Sequence, residues 1–338
     1  MRRFGWVLTL AILAGAARAE DLSILSSTDR DAFAPVIAAF QAREPGITVS
    51  YTEMDTLPLY DAIIEDRLAV QPDIVISSAV DRQFRLANDG YALPHRSPVT
   101  AKLPDWARFA DAAFGFTYEP LIFVASRRAF AGRPLPKSRA DLLALIARDG
   151  AALAPVATYD PVTSGVGNLL GKIDYATNSQ WSPFIARLAQ HGLKTYCCSG
   201  DMLTAIDRGE VSLAFNVLGS YAELRRAQGA DIEIVYPADY TLVISRVALA
   251  LKTTPRPRAA KAFLDFLLSP EAQTLLARQT HLSAILPIAA PGLSPATVKD
   301  QATGPLRPIA LDAQLLAYSD RMHDEQFLTL WRSLVPSK

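Results

Sequence analysis

The chain has 338 residues, 34 basic and 34 acidic side chains, and is half hydrophobic. That length suits roughly two domains, and that apolar share builds sizeable cores and excludes a disordered chain. The balanced charge argues against an electrostatic nucleic-acid binder, and two cysteines build neither a disulfide scaffold nor a four-thiolate zinc site.

The first 19 residues read as a secretory signal peptide cut after Ala19. Arg2 and Arg3 precede an apolar run from Trp6 to Ala14, and Ala17-Arg18-Ala19 fits the small-x-small cleavage rule. The apolar run is shorter than the ~20 residues a membrane span needs. Without Arg2, Arg3 and Arg18 the 34 basic residues fall to 31, so the mature chain is slightly acidic.

The mature chain opens with a strand at 22–26, followed by capping residues Ser27, Thr28 and Asp29. Phe33, Val36, Ile37 and Phe40 recur at helical spacing and predict a helix over 30–44. A strand at 47–51, a helix at 57–69 and a short apolar strand at 74–76 follow. Strand–helix–strand–helix–strand is the pattern of a mostly parallel sheet. Further on, strands are predicted at 121–125, 156–159, 211–216, 232–236 and 242–251. Helices are predicted at 139–147, 179–190, 201–208, 257–268, 270–278 and over the tail 311–334. Residues 160–167 read as a loop.

Catalytic signals are poor. The chain has no G-x-G-x-x-G, Walker loop, H-E-x-x-H or G-x-S-x-G. None of its four histidines lies within helical or hairpin reach of another, so no metal site and no cofactor is expected. What stands out is small polar turns before helices: Ser26-Ser27-Thr28, Ser77-Ser78, Thr163-Ser164-Gly165 and Ser199-Gly200. Any one is explained by helix capping. Four together suit a polar ligand, because hydroxyls and free amides at helix starts bind anions. In open α/β sheets ligands sit beyond the carboxyl ends of the strands. Adjacent Cys197 and Cys198 are either reduced or joined as a vicinal disulfide, in which case they form part of a site wall.

Three stretches resemble a known family. They are Pro72-Asp73-Ile74-Val75-Ile76-Ser77-Ser78, the run Asp207-Arg208-Gly209-Glu210-Val211-Ser212-Leu213-Ala214, and the region from Val235 through Tyr236-Pro237 and Leu249-Ala250-Leu251-Lys252 to Gln273. Over nearly the whole mature chain the sequence is similar to the periplasmic substrate-binding proteins of ABC importers, in the iron(III)-type, or extracellular solute-binding family 1/6, branch. The resemblance implies an α/β, two-lobed fold of type II, each lobe a mostly parallel sheet flanked by helices, with a C-terminal helical tail. It assigns 20–116 and 246–338 to lobe 1 and 117–245 to lobe 2, with crossovers at 116–121 and 243–246. The implied action is capture of a small ligand by hinge closure, without catalysis, by a monomer in the periplasm. An ABC permease is the implied partner, or alternatively a membrane sensor kinase.

Iron-binding members of that branch use two adjacent tyrosines, where this chain reads Asn216-Val217-Leu218-Gly219-Ser220-Tyr221-Ala222. Thr163-Ser164-Gly165-Val166-Gly167 and the stretch from Arg307 look more like organophosphate-binding members. The expected ligand is therefore a small anion, with ferric ion as the alternative and a secreted hydrolase using Ser164 as the remote one. The residues expected to bind it are Ser27, Thr28, Ser77, Ser78, Thr163, Ser164, Gly165, Ser199, Asn216, Tyr240 and Arg246.

Overall fold

A computed structural model describes residues 20–288 and 293–336. The predicted leader lies outside the described residues. Among them, no helix is long and apolar enough to cross a membrane.

The chain begins with β1 (Glu20–Ser26), α1 (Arg30–Arg43), β2 (Ile47–Glu53), α2 (Thr56–Ile64), β3 (Ile74–Ser77) and α3 (Val80–Asn88). β1 pairs in parallel with β2 on one side and β3 on the other. α2 stops earlier than its expected end at 69, and Asp66 just beyond takes a left-handed φ of 50°. After β4 (Arg108–Phe109) and β5 (Ala113–Gly115), the fully buried β6 (Glu119–Ser126) carries the chain into a second sheet.

That second unit contains α4 (Arg139–Asp149), β7 (Val156–Tyr159), α5 (Gly165–Thr177), α6 (Trp181–Gln190), β8 (Lys194–Tyr196) and α7 (Ser199–Asp207). It continues through β9 (Leu213–Leu218), α8 (Gly219–Ala227), β10 (Ile232–Val235) and β11 (Thr241–Ile244). β12 (Val247–Ala250) returns to the first sheet, followed by α9 (Pro257–Leu267) and α10 (Pro270–Leu275). The tail is α11 (Pro295–Gln301), β13 (Leu306–Pro308), α12 (Gln314–Tyr318) and α13 (Arg321–Leu334).

The first sheet runs β2-β1-β3-β12-β5-β4 and the second β13-β11-β6-β9-β7-β8, with β10 also on β6. Both are mixed rather than mostly parallel. The strands that carry the chain across, β6 and β12, run antiparallel to their neighbours β9 and β3. The strand expected at 242–251 is two strands, one in each sheet, separated by Ser245 and Arg246. Both halves are apolar because each is buried on both faces, so the break leaves no mark in the hydropathy.

The tail corrects the expected boundary at 246–338. α9 packs on the first sheet, where Phe263 meets Phe40 edge-to-face at 5.1 Å. β13 pairs with β11 of the second sheet, and Phe327 and Trp331 of α13 pack on Trp181. Burial of each such aromatic contributes about 1.5–3 kcal/mol. The continuous helix expected at 311–334 is two helices. Asp320 ends the first segment's run and caps α13, accepting the N–H groups of Met322 and His323.

Candidate functional site

The helix starts and strand ends of both sheets meet around a cleft of about 460 Å³. From the first sheet come Ser27 after β1, Asp55 and Thr56 at the start of α2, and Ser78 after β3. From the second come Tyr159, Thr163, Ser164 and Val166 before and within α5, Cys197 to Ser199 before α7, and Leu218 and Tyr221 around the start of α8. Arg246 stands between the two sheets.

The sequence places α5 poorly because its first half holds Gly165, Gly167 and Gly171, weak helix formers. The helix forms because Ser164 caps it, its Oγ accepting the Gly167 N–H at 3.2 Å. Gly167 is required for a close approach: a Cβ there would lie 2.4 Å from the Tyr159 Cβ. Tyr159 in turn bonds Ser199 Oγ at 2.6 Å, and Ser199 Oγ accepts the Leu218 N–H at 3.0 Å. One hydroxyl thus ties the starts of α7 and α8 to the end of β7.

The two walls already touch. The Gly165 N–H donates to Thr56 Oγ1 at 2.9 Å across the cleft. On the first wall, Ser27 Oγ accepts the Ser78 N–H at 3.2 Å. Ser77 is buried beneath them, its Oγ accepting the Ala79 N–H at 3.1 Å. Ser77 therefore braces the wall and does not line the cleft. Thr28 also stands behind it, its Oγ1 accepting from Arg246 Nη1 at 2.9 Å and its carbonyl accepting from Tyr51 at 2.7 Å.

Arg246 is 1 % exposed and Glu119 is fully buried; Nε donates to Glu119 Oε1 at 2.8 Å. Glu119 also accepts hydroxyls from Thr117 and Ser220. Arg246 Nη2 has no hydrogen-bond partner. Burial is the largest influence and works against the guanidinium charge, but Glu119, Tyr221 and Asp29 together outweigh it and hold the pKa above its ordinary value. Burial pushes the Tyr221 phenol up to about 12 and raises Tyr159 further, so both are neutral hydroxyls at neutral pH.

Asn216 and Tyr240 lie elsewhere. Asn216 takes a left-handed φ of 60° and turns its amide toward Asp174, 3.5 Å away. Tyr240 donates to the other Asp174 oxygen at 2.6 Å, its ring between Arg139 and Arg307. Both build the second unit's interior around a buried carboxylate that sequence spacing does not reveal. Sequence reasoning missed Asp55, Thr56 and Tyr159. The strand-end rule would have found Tyr159, the last residue of a predicted strand.

Cys197 and Cys198 are joined as a vicinal disulfide on the cleft wall. Their sulfurs and Asp201 lie within 4.8 Å of one another, but the disulfide leaves no thiolate to ligate a metal. No histidine lines the cleft, and Ser164 Oγ accepts the Gly167 N–H of α5.

A family model described as bacterial extracellular solute-binding protein matches residues 22–279. A substrate-binding protein of an ABC transporter from Agrobacterium tumefaciens is 32% identical, with TM-score 0.88 and 96% of both chains covered. Iron-bound HitA from Pseudomonas aeruginosa is 19% identical, with TM-score 0.73 over 93% of this chain and 99% of that one. AfuA from Actinobacillus pleuropneumoniae, solved with fructose-6-phosphate, is 16% identical, with TM-score 0.77 over 94% and 99%. The last two likenesses concern the fold alone. No curated protein sequence matches the chain.

Proposed function

This chain belongs to the bacterial extracellular solute-binding proteins, and from that premise we propose that it captures a small organophosphate anion in the periplasm for an ABC permease. Members of the family bind solutes. The observation that carries the anion reading is Arg246. A buried guanidinium with an unpartnered Nη2 borders a cleft lined by hydroxyls and by the start of α5. Leaving such a donor unmade is costly, and an oxyanion entering the cleft satisfies it. Four further hydroxyls, from Ser27, Ser78, Thr163 and Tyr221, line the same space.

Ferric ion fits less well. It needs anionic oxygen donors, and where iron-binding members carry two adjacent tyrosines this chain has Ser220 and Tyr221. Closure of the walls around the ligand would present one compact shape to a permease.

The test is calorimetric titration of the exported, leader-processed chain with glycerol 3-phosphate, hexose 6-phosphates, inorganic phosphate and ferric citrate. Saturable binding of a phosphate ester, with ferric citrate silent, is the expected result. Binding of ferric citrate alone, with visible charge-transfer absorption, would overturn it.

A further inference from the structure

Resting on that reading, we infer that the solute is an organophosphate with an apolar carbon chain, and that the Cys197–Cys198 disulfide is a specificity-determining surface on which that chain packs. The two walls of the cleft differ in what they offer. The first sheet brings Ser27, Asp55, Thr56 and Ser78. Arg246 is held to that side through Thr28, and its guanidinium lies over the Tyr221 ring. The second wall is built on the ends of three neighbouring strands. Leu218 closes β9, Tyr159 closes β7 and Cys197 directly follows β8. Val166 joins them from the first turn of α5.

The buried hydroxyls of this second wall are engaged within it. Tyr159 and Ser199 share a bond of 2.6 Å, Ser199 Oγ also accepts the Leu218 N–H, and Ser164 Oγ accepts the Gly167 N–H. Apart from exposed Thr163, what this stretch offers a solute is the Tyr159 ring, Val166, Leu218 and the two half-buried sulfurs.

A disulfide has no proton to donate, and sulfur is a weak acceptor and a soft, polarisable contact. An oxyanion laid on it meets the Asp201 carboxylate, whose oxygen lies 3.2 Å from Cys197 Sγ and 3.6 Å from Cys198 Sγ. That carboxylate stands in the first turn of α7 and so already answers the positive end of the helix. A solute hydroxyl turned to this wall gives up water without gaining a good partner, whereas a methylene gains burial. The cleft therefore matches a phosphate toward Arg246, Ser27 and Ser78 and a carbon chain toward the disulfide, Val166 and Leu218.

The experiment titrates ethyl, propyl and butyl phosphate and glycerol 3-phosphate by calorimetry into the leader-processed wild type and two double variants. Cys197→Ser with Cys198→Ser makes the surface polar; Cys197→Ala with Cys198→Ala keeps it apolar. Both lack the bond, so any effect of the disulfide on the shape of the loop is common to them. In the wild type, affinity should rise roughly two- to fourfold per methylene. Propyl phosphate should bind about tenfold tighter than glycerol 3-phosphate, which differs from it by two hydroxyls. The serine pair should lose the chain-length gain while ethyl phosphate still binds, which also shows that the site is folded; the alanine pair should keep it. Three outcomes overturn the inference and leave the organophosphate reading standing: no gain with chain length in the wild type, a gain that survives in the serine pair, or a gain lost equally in both pairs. Failure of all four esters in the wild type overturns both readings.

Discussion

Arg246 does two things with one guanidinium. Nε and Nη1 fasten the point where the chain crosses between sheets, through Glu119 and Thr28, and Nη2 is buried beside Tyr221 without a hydrogen-bond partner. Simple truncation confuses the two, because it strands a buried Glu119 at a cost of about 3–5 kcal/mol. The double change Arg246→Met with Glu119→Gln removes both charges and keeps the volume. It should fold, yet bind the phosphate ligand 10- to 100-fold more weakly, the worth of roughly 1.5–3 kcal/mol for hydrogen bonds to a charged group. Titration of the double variant at wild-type affinity would remove Arg246 from the site. Residues at strand ends, such as Ser27, Ser78, Ser164 and Ser199, were legible in the sequence because the polypeptide's direction alone brings them to one rim. Asn216 and Tyr240 were not, because their partner Asp174 sits in α5, 42 and 66 residues away, and nothing local marks it.

At the scale of elements, the strands and helices with strong periodicity were legible and those built on special contacts were not. α5 is the instructive case: a glycine-rich stretch reads as loop until Tyr159 is placed against Gly167. The glycines of the two cleft-facing helices therefore respond differently to substitution. Gly167→Ala puts a Cβ 2.4 Å from the Tyr159 Cβ and should cost about 1–3 kcal/mol by overpacking. It should also weaken ligand binding, since Tyr159 carries Ser199. Gly200→Ala, in α7, meets nothing within 4 Å and should stabilise by about 0.5–1 kcal/mol through helix propensity. Urea unfolding midpoints of the two variants check the pair; movement in the same direction would contradict the packing account of α5.

Over the whole molecule, two sheets crossed by one chain were legible from the order of elements. The destination of the tail was not, because β13 is three residues long, ends in a proline and shows no periodicity that selects a sheet. That tail matters to the cleft. Asp324 at the start of α13 accepts from Lys172 at 2.6 Å and Asn168 at 2.8 Å, both on α5, and from Arg82 of α3 at 3.3 Å. α3 and α5 begin beside opposite walls of the cleft, so one carboxylate ties the two walls from behind. Burial alone would raise the Asp324 carboxyl, but the Lys172 and Asn168 hydrogen bonds and the Arg82 charge outweigh it and hold it below the ordinary range. At Lys172, 4 % exposed against 23 % for Asp324, burial wins and the ammonium pKa falls. A carboxyl depressed in the folded state stabilises above its unfolded pKa, and that contribution fades as pH falls through the folded value. Asp324→Asn should therefore lower stability by about 1–3 kcal/mol at pH 7. Its deficit against wild type should shrink toward pH 3. Neighbouring Asp81, raised mainly by burial and further by the Asp324 charge, works in the opposite sense and is relieved in the variant, which offsets part of the deficit at pH 7. Because the tie joins the walls, Asp324→Asn should also weaken ligand binding severalfold without touching the ligand. Chemical unfolding and calorimetry at pH 7, 5 and 3 measure both effects. A stability deficit that stays constant with pH would rule out the charge as its source, and unchanged affinity would confine Asp324 to holding the tail.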